Sequence, residues 1–113
     1  MTREARFERV CDEAELWDGE MAAFVVEGEE VLLVRLDGYY RAYRGICPHQ
    51  SVRLAEGSLE GATLTCRGHL WQFDARSGRG INPSTARLVR YTVKIEAGGV
   101  WVRTVPEKHE ESA

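Results

Sequence analysis

The sequence predicts an all-β fold, an antiparallel sandwich or barrel scaffold with a smaller subdomain inserted into it. Three observations point there. Apolar, β-branched and aromatic residues fall in short runs bounded by glycine turns, the mark of strands. Asp37-Gly38 sits between two such runs and reads as a tight hairpin. The middle of the chain is rich in glycine, has little helical pattern, and is flanked by strands on both sides.

Each element has a local reason. Phe7-Glu8-Arg9-Val10 reads as a first strand, and Asp12 could cap one helical turn through Glu13 to Leu16. Met21 to Val26 and Val31 to Leu36 are apolar and β-branched, with a turn at Gly28 between them. The Asp37-Gly38 turn leads into a strand at Tyr39 to Tyr43. Further strands are expected at Thr63 to Cys66, Trp71 to Asp74 and Tyr91 to Glu96. Ala97-Gly98-Gly99 then turns the last of these into Val100 to Val105. Residues 5–44 and 85–105 would form the scaffold, residues 45–84 the inserted subdomain, and 106–113 a charged, frayed tail. Trp17 and Trp101 are expected to pack within the scaffold, and His109 to be solvated in the tail.

At 113 residues the chain is expected to make one domain. Apolar content of 43% with 29% charged residues fits an ordinary globule rather than a disordered chain. No apolar run is long enough for a membrane-spanning helix, and the charged N-terminus lacks the apolar stretch of a signal peptide. Cys11 has no evident partner, and a free thiol fits a reducing cytoplasm. It reads as a partly buried structural residue. The net charge of −3 is unevenly spread. Residues 1–45 carry eleven acidic and six basic side chains, whereas residues 46–103 carry four acidic and eight basic. Nucleic-acid binding is not indicated, because the chain is acidic and has no basic run. Arg53, Arg67 and Arg87 could steer an acidic partner. They could equally be solvated or paired with local acids.

The chemistry is concentrated in Cys47-Pro48-His49 and, sixteen residues later, Cys66-Arg67-Gly68-His69. Each cluster offers a thiolate and an imidazole on a short turn shaped by Pro48 or Gly68. Two Cys and two His form the ligand set of a mixed-ligand [2Fe–2S] centre, and all four would saturate the irons. A single tetrahedral zinc uses the same donors. The usual zinc order, two close Cys followed by two His on a helix, is absent. Nothing resembles a Ser/His/Asp set, a phosphate loop or a paired-carboxylate site, so no turnover is expected of the chain alone.

The stretch CPHQSVRLAEGSLEGATLTCRGHLWQFDARSGRGINP resembles the soluble Rieske ferredoxins of multicomponent bacterial monooxygenases. Within them it is most similar to those serving diiron toluene, alkene or isoprene hydroxylases, through CPHQ, EGSLEG, HLWQF and GINP. The resemblance implies a Rieske fold and one [2Fe–2S] cluster, with Cys47 and Cys66 on one iron and His49 and His69 on the other. It implies an NADH-dependent flavin reductase as electron donor and an oxygenase hydroxylase as acceptor, with a monomer shuttling between them. It makes Gln50, Gly68, Trp71 and Pro83 candidates for the cluster shell or docking surface, with Gly80-Ile81-Asn82-Pro83 as a cover loop. Trp71 could contact a partner, tune the potential or shield the cluster from water.

Compared with respiratory Rieske proteins, Val52 and Gly68 stand where a disulfide would join the two loops. Trp71 and Phe73 stand where hydroxyl donors to the cluster would be. Fewer donors imply a potential near the low end of the class, about −150 mV. Three alternatives remain beside this reading: the ferredoxin of a Rieske ring dioxygenase, a zinc-stabilised structural β-module, and the small subunit of an assimilatory nitrite reductase.

Overall fold

A computed structural model describes residues 6–48, 51–68 and 70–106. The strands, in chain order, are β1 (Glu8–Asp12), β2 (Glu20–Val26), β3 (Glu29–Leu36), β4 (Tyr39–Arg44), β5 (Ser58–Glu60), β6 (Thr63–Thr65), β7 (Gln72–Asp74), β8 (Gly80–Asn82), β9 (Arg90–Glu96) and β10 (Gly99–Arg103). Six of them form one antiparallel sheet in the order β1-β10-β9-β4-β3-β2. Its two edge strands, β1 and β2, come back into contact, so the sheet is nearly a closed barrel. The remaining four form a second antiparallel sheet, β5-β6-β7-β8.

The centre of the first sheet is β3. Its run Val31-Leu32-Leu33-Val34 has no polar alternation because both faces are buried. Leu32, Val34 and Leu36 point to one core, together with Tyr43, Leu54, Leu64, Phe73 and Leu88. Val31 and Leu33 point to the other, with Leu16, Val26, Ala42, Tyr91, Val100 and Val102. The first core joins the two sheets, whereas the second lies within the barrel. Cys11 belongs to the second core, as expected of a structural thiol, and burial pushes its pKa up.

Three hairpins close on the pairs Glu27-Gly28, Asp37-Gly38 and Ala97-Gly98, with both residues of each pair at positive φ. This is the turn whose twist matches that of flanking strands. The second sheet is inserted between β4 and β9, which pair directly through Ala42↔Tyr91 and Tyr43↔Arg90. The Arg44 N–H also donates to the Val89 carbonyl at 2.8 Å, so the inserted segment leaves and re-enters at neighbouring points. Inside the barrel's partner core the Tyr43 hydroxyl donates to the Ala75 carbonyl at 2.7 Å.

Three expectations are corrected and one strand is added. Glu13 to Leu16 is a turn and not a helix, because Asp12 is the last residue of β1, paired with Gly99, and cannot act as a cap. Only the Glu15 N–H to Asp12 carbonyl bond, 3.0 Å, remains of a helical turn. Trp17 is 75% exposed, on the loop before β2, and does not pack in the scaffold. Trp101 is half-buried on β10, its indole N–H donating to the Glu96 carbonyl at 3.2 Å. Gly80 to Asn82 is a strand paired with β7 rather than a loop, so a cover could begin only at Pro83. Finally, Ser58–Glu60 is a strand no sequence signal had marked. His109 and the expected frayed tail lie outside the described residues beyond Pro106.

Candidate metal centre

Two loops of matching construction present the cysteines. The Cys47 N–H donates to the Val52 carbonyl at 2.8 Å, and the Cys66 N–H donates to the Trp71 carbonyl at 2.7 Å. Each bond closes a short loop of four intervening residues. By sequence the first loop contains His49 and Gln50 and the second contains His69; these three residues lie outside the described part of the chain. The first loop is reinforced by pairing of Ile46 with Arg53 and the second by the β6–β7 hairpin. Just before β5, Gly57 lies against the base of the second loop: a Cβ there would come within 2.0 Å of the Thr65 carbonyl, so only glycine permits the approach.

Cys47 and Cys66 are buried, at 3% and 1% exposure, in the core shared by the two sheets. Neither is in a disulfide. The Cys47 side chain lies close enough to Cys66 to act on its thiol. Burial pushes the Cys66 thiol up and Cys47 adds to this, while the Gly68 backbone N–H opposes it by donating to the sulfur. Two adjacent soft donors in an apolar pocket, one already supplied with an N–H donor, fit an iron–sulfur cluster well. Val52 accepts the bond that closes the first loop, and Gly68 lies in the second.

Around the cysteines, Phe73 is fully buried, and Trp71 is half-buried against the same core with the two rings 6.5 Å apart and tilted. Pro83 is half-buried and follows Asn82, which pairs with Gln72 next to Trp71. Of the three candidate steering arginines, Arg53 is paired with Glu30 at 2.7 Å and Arg67 with Glu56 at 2.8 Å. Arg87 is exposed and has no ion pair among the described residues. Glu30, Glu56 and Leu70 carry no sequence signature, yet they stand close to the loops. Leu70 is 66% exposed and at φ 59°, the left-handed region, with no glycine beside it.

A small β-barrel that raises two mirror-like loops, each with one buried thiol, defines an iron–sulfur carrier in which the protein is a holder for its cluster. Residues 6–96 match the model of the Rieske [2Fe-2S] domain, and the chain belongs to that family. It is 49% identical over 105 residues to the alkene monooxygenase system ferredoxin component of Xanthobacter autotrophicus, covering 92% of this chain and 86% of that one. It is 34% identical to the naphthalene 1,2-dioxygenase system ferredoxin component of Pseudomonas aeruginosa, over 78% of this chain and 86% of that one. Among solved structures, the ferredoxin of carbazole 1,9a-dioxygenase from Nocardioides aromaticivorans superposes with a TM-score of 0.78. That pair is 26% identical, covering 91% of this chain and 100% of the other. The chain accordingly carries one Rieske [2Fe–2S] cluster, which removes the zinc alternative.

Proposed function

We propose that this protein is the Rieske ferredoxin of a hydrocarbon monooxygenase of the alkene or toluene type, delivering single electrons to its diiron hydroxylase. The observation that carries this reading is 49% identity to an alkene monooxygenase ferredoxin across nearly the whole chain. The lower identity to a naphthalene dioxygenase ferredoxin, 34%, supports the monooxygenase over the ring-dioxygenase reading. The chain is the electron-transfer component, with an NADH-dependent flavin reductase as donor and catalysis left to the oxygenase. No helix among the described residues is long and apolar enough to cross a membrane, and a cytoplasmic monomer suits a carrier that meets two partners in turn.

In this reading Cys47 and Cys66 bind one iron and His49 and His69 the other, within a single domain whose inserted subdomain spans about residues 45–84. When bound, the cluster takes up and releases one electron, and replacing two thiolates by neutral His makes uptake easier than at an all-Cys site. The residues do the rest. Leu54, Leu64 and Phe73 keep the thiolate side dry. The Gly68 N–H steadies charge on the Cys66 sulfur. Trp71 and Pro83 flank the cysteine side, and Trp71, with Gln50 by its place in the sequence, is a candidate for contact with a partner.

The test is the absorption spectrum of the purified protein with iron and sulfide analysis, EPR after dithionite reduction, and reconstituted turnover with reductase and hydroxylase. Two irons, two sulfides and a rhombic signal with average g below the free-electron value are expected. Val52, Gly68, Trp71 and Phe73 supply no disulfide and no hydroxyl, so a redox titration should give about −150 mV; a value above about +100 mV would overturn the donor argument.

A further inference from the structure

Between the two cysteine loops lies a groove of about 440 Å³ lined by Ser51, Val52 and Arg53 from the first loop, Arg67 and Gly68 from the second, and Glu56. Both guanidiniums are open to solvent, with side chains 52% and 67% exposed. A single carboxylate stands between them. The Arg67 Nη1 donates to Glu56 Oε1 at 2.8 Å, while the Arg53 Nη1 is 3.8 Å from Glu56 Oε2, an ion pair without a hydrogen bond. Arg53 spends its Nε–H on Glu30 at 2.7 Å. Each arginine presents a fork of donors, and among the described residues only one donor of each is engaged by a carboxylate. The groove therefore has spare hydrogen-bonding capacity for an anion beside Glu56.

The charge of the whole molecule tells which anion. The chain is −3 overall, with its acidic excess in residues 1–45, so an acidic surface is repelled by the scaffold. Only at the cluster-bearing segment, whose excess is basic, does attraction replace repulsion. A partner of that kind would arrive with the cluster loops foremost. We propose that the groove receives an aspartate or glutamate side chain from an acidic docking face of the oxygenase component, held by Arg53 and Arg67. Glu56 competes for the same guanidiniums and so keeps the contact brief, which a carrier that must leave after one electron requires. The inference rests on the electron-carrier reading above.

The test needs no partner. Dithionite-reduced holoprotein is oxidised in a stopped-flow instrument by the anionic cobalt(III)–EDTA complex and, separately, by cationic hexaamminecobalt(III), at rising NaCl. Despite the net negative charge, the anionic oxidant is expected to slow as salt rises. Arg67→Gln and Arg53→Gln are each expected to slow it by about threefold, the effect of one screened charge nearby, and Glu56→Gln to speed it by about as much. The cationic oxidant should respond in the opposite sense. Potentials titrated on the same variants separate a change of local charge from a change of driving force. Anionic rates that rise with salt, or that ignore all three substitutions at unchanged potential, would overturn the proposal. Because Glu56→Gln acts in the opposite direction, loss of cluster in an arginine variant leaves the proposal testable. A wild-type protein without the rhombic signal would instead defeat the carrier reading.

Discussion

In the six-stranded sheet the strands run from five to eight residues, and three two-residue hairpins set their register. In the four-stranded sheet every strand is three residues long. The first buries both faces of β3; the second lies beside the cysteines, in a segment (residues 45–89) with five basic and three acidic side chains. Three-residue strands supply few ladder bonds, and a pair of such strands is not stable alone. The second sheet leans on what lies outside it: the core shared with β3 and the Tyr43 strut. The barrel sets its own register, and the cluster region is expected to depend on the barrel and the cluster together.

The largest effect expected from this difference follows loss of the cluster. Cys66→Ser should abolish the iron–sulfur absorption and raise hydrogen exchange at the Leu64 and Phe73 amides by more than about tenfold, roughly 1.4 kcal/mol of local protection. Exchange within β3 should change little. Equal loosening of both sheets would show that the barrel also leans on the metal.

Next comes the strut between the two regions. Tyr43→Phe leaves the buried Ala75 carbonyl without its hydroxyl partner, and a cost of about 1–3 kcal/mol is expected in thermal or denaturant unfolding. Cluster content should fall before the barrel's far-ultraviolet signal does. If both fall together, the two regions form one cooperative unit.

A gain is expected at Leu70, where an exposed side chain holds a left-handed backbone. Leu70→Gly should stabilise the holoprotein by about 1 kcal/mol or less, since glycine relieves the steric cost but adds chain entropy. An unchanged or lower thermal midpoint would mean that the leucine packs on the loop it closes.

The smallest effect concerns the link between the β3–β4 and β7–β8 turns. The Arg76 guanidinium, bonded to Asp37 at 2.5 Å, holds that carboxyl below its usual range. A depressed folded pKa contributes stability above the unfolded value, and that contribution is lost as pH falls through the folded one. Both side chains are half exposed, so the effect is slight. Thermal midpoints of wild type and Asp37→Asn should differ a little near about pH 6 and converge toward about pH 3. A gap that widens in acid would reverse the assignment.

Much of this was readable beforehand, and the reasons differ by residue. The unbroken apolar run at Val31 to Val34 and the turn pairs at Gly28, Gly38 and Gly98 are local signals, and strands form where they point. Short strands such as Ser58–Glu60 have too few residues for a period to show. Trp17 is exposed against expectation because bulk and hydrophobicity do not reveal which side of a loop faces the core. At the metal centre the Cys and His spacing spoke clearly, since ligands on one loop must be close in sequence. The Arg53–Glu30 and Arg67–Glu56 pairs bridge residues 23 and 11 apart, a closeness that only the folded topology creates.

The direct pairing of β4 with β9 has an engineering consequence. Everything between Arg44 and Val89 is, to the barrel, one oversized hairpin connection whose ends already sit a strand spacing apart. A two- or three-residue turn spliced there would complete an uninterrupted meander and still satisfy both strands. Conversely, the excised segment could be transplanted onto another β-hairpin of similar twist, provided the host offers an apolar face in place of Leu32, Val34 and Tyr43. The redox module is portable only with its floor.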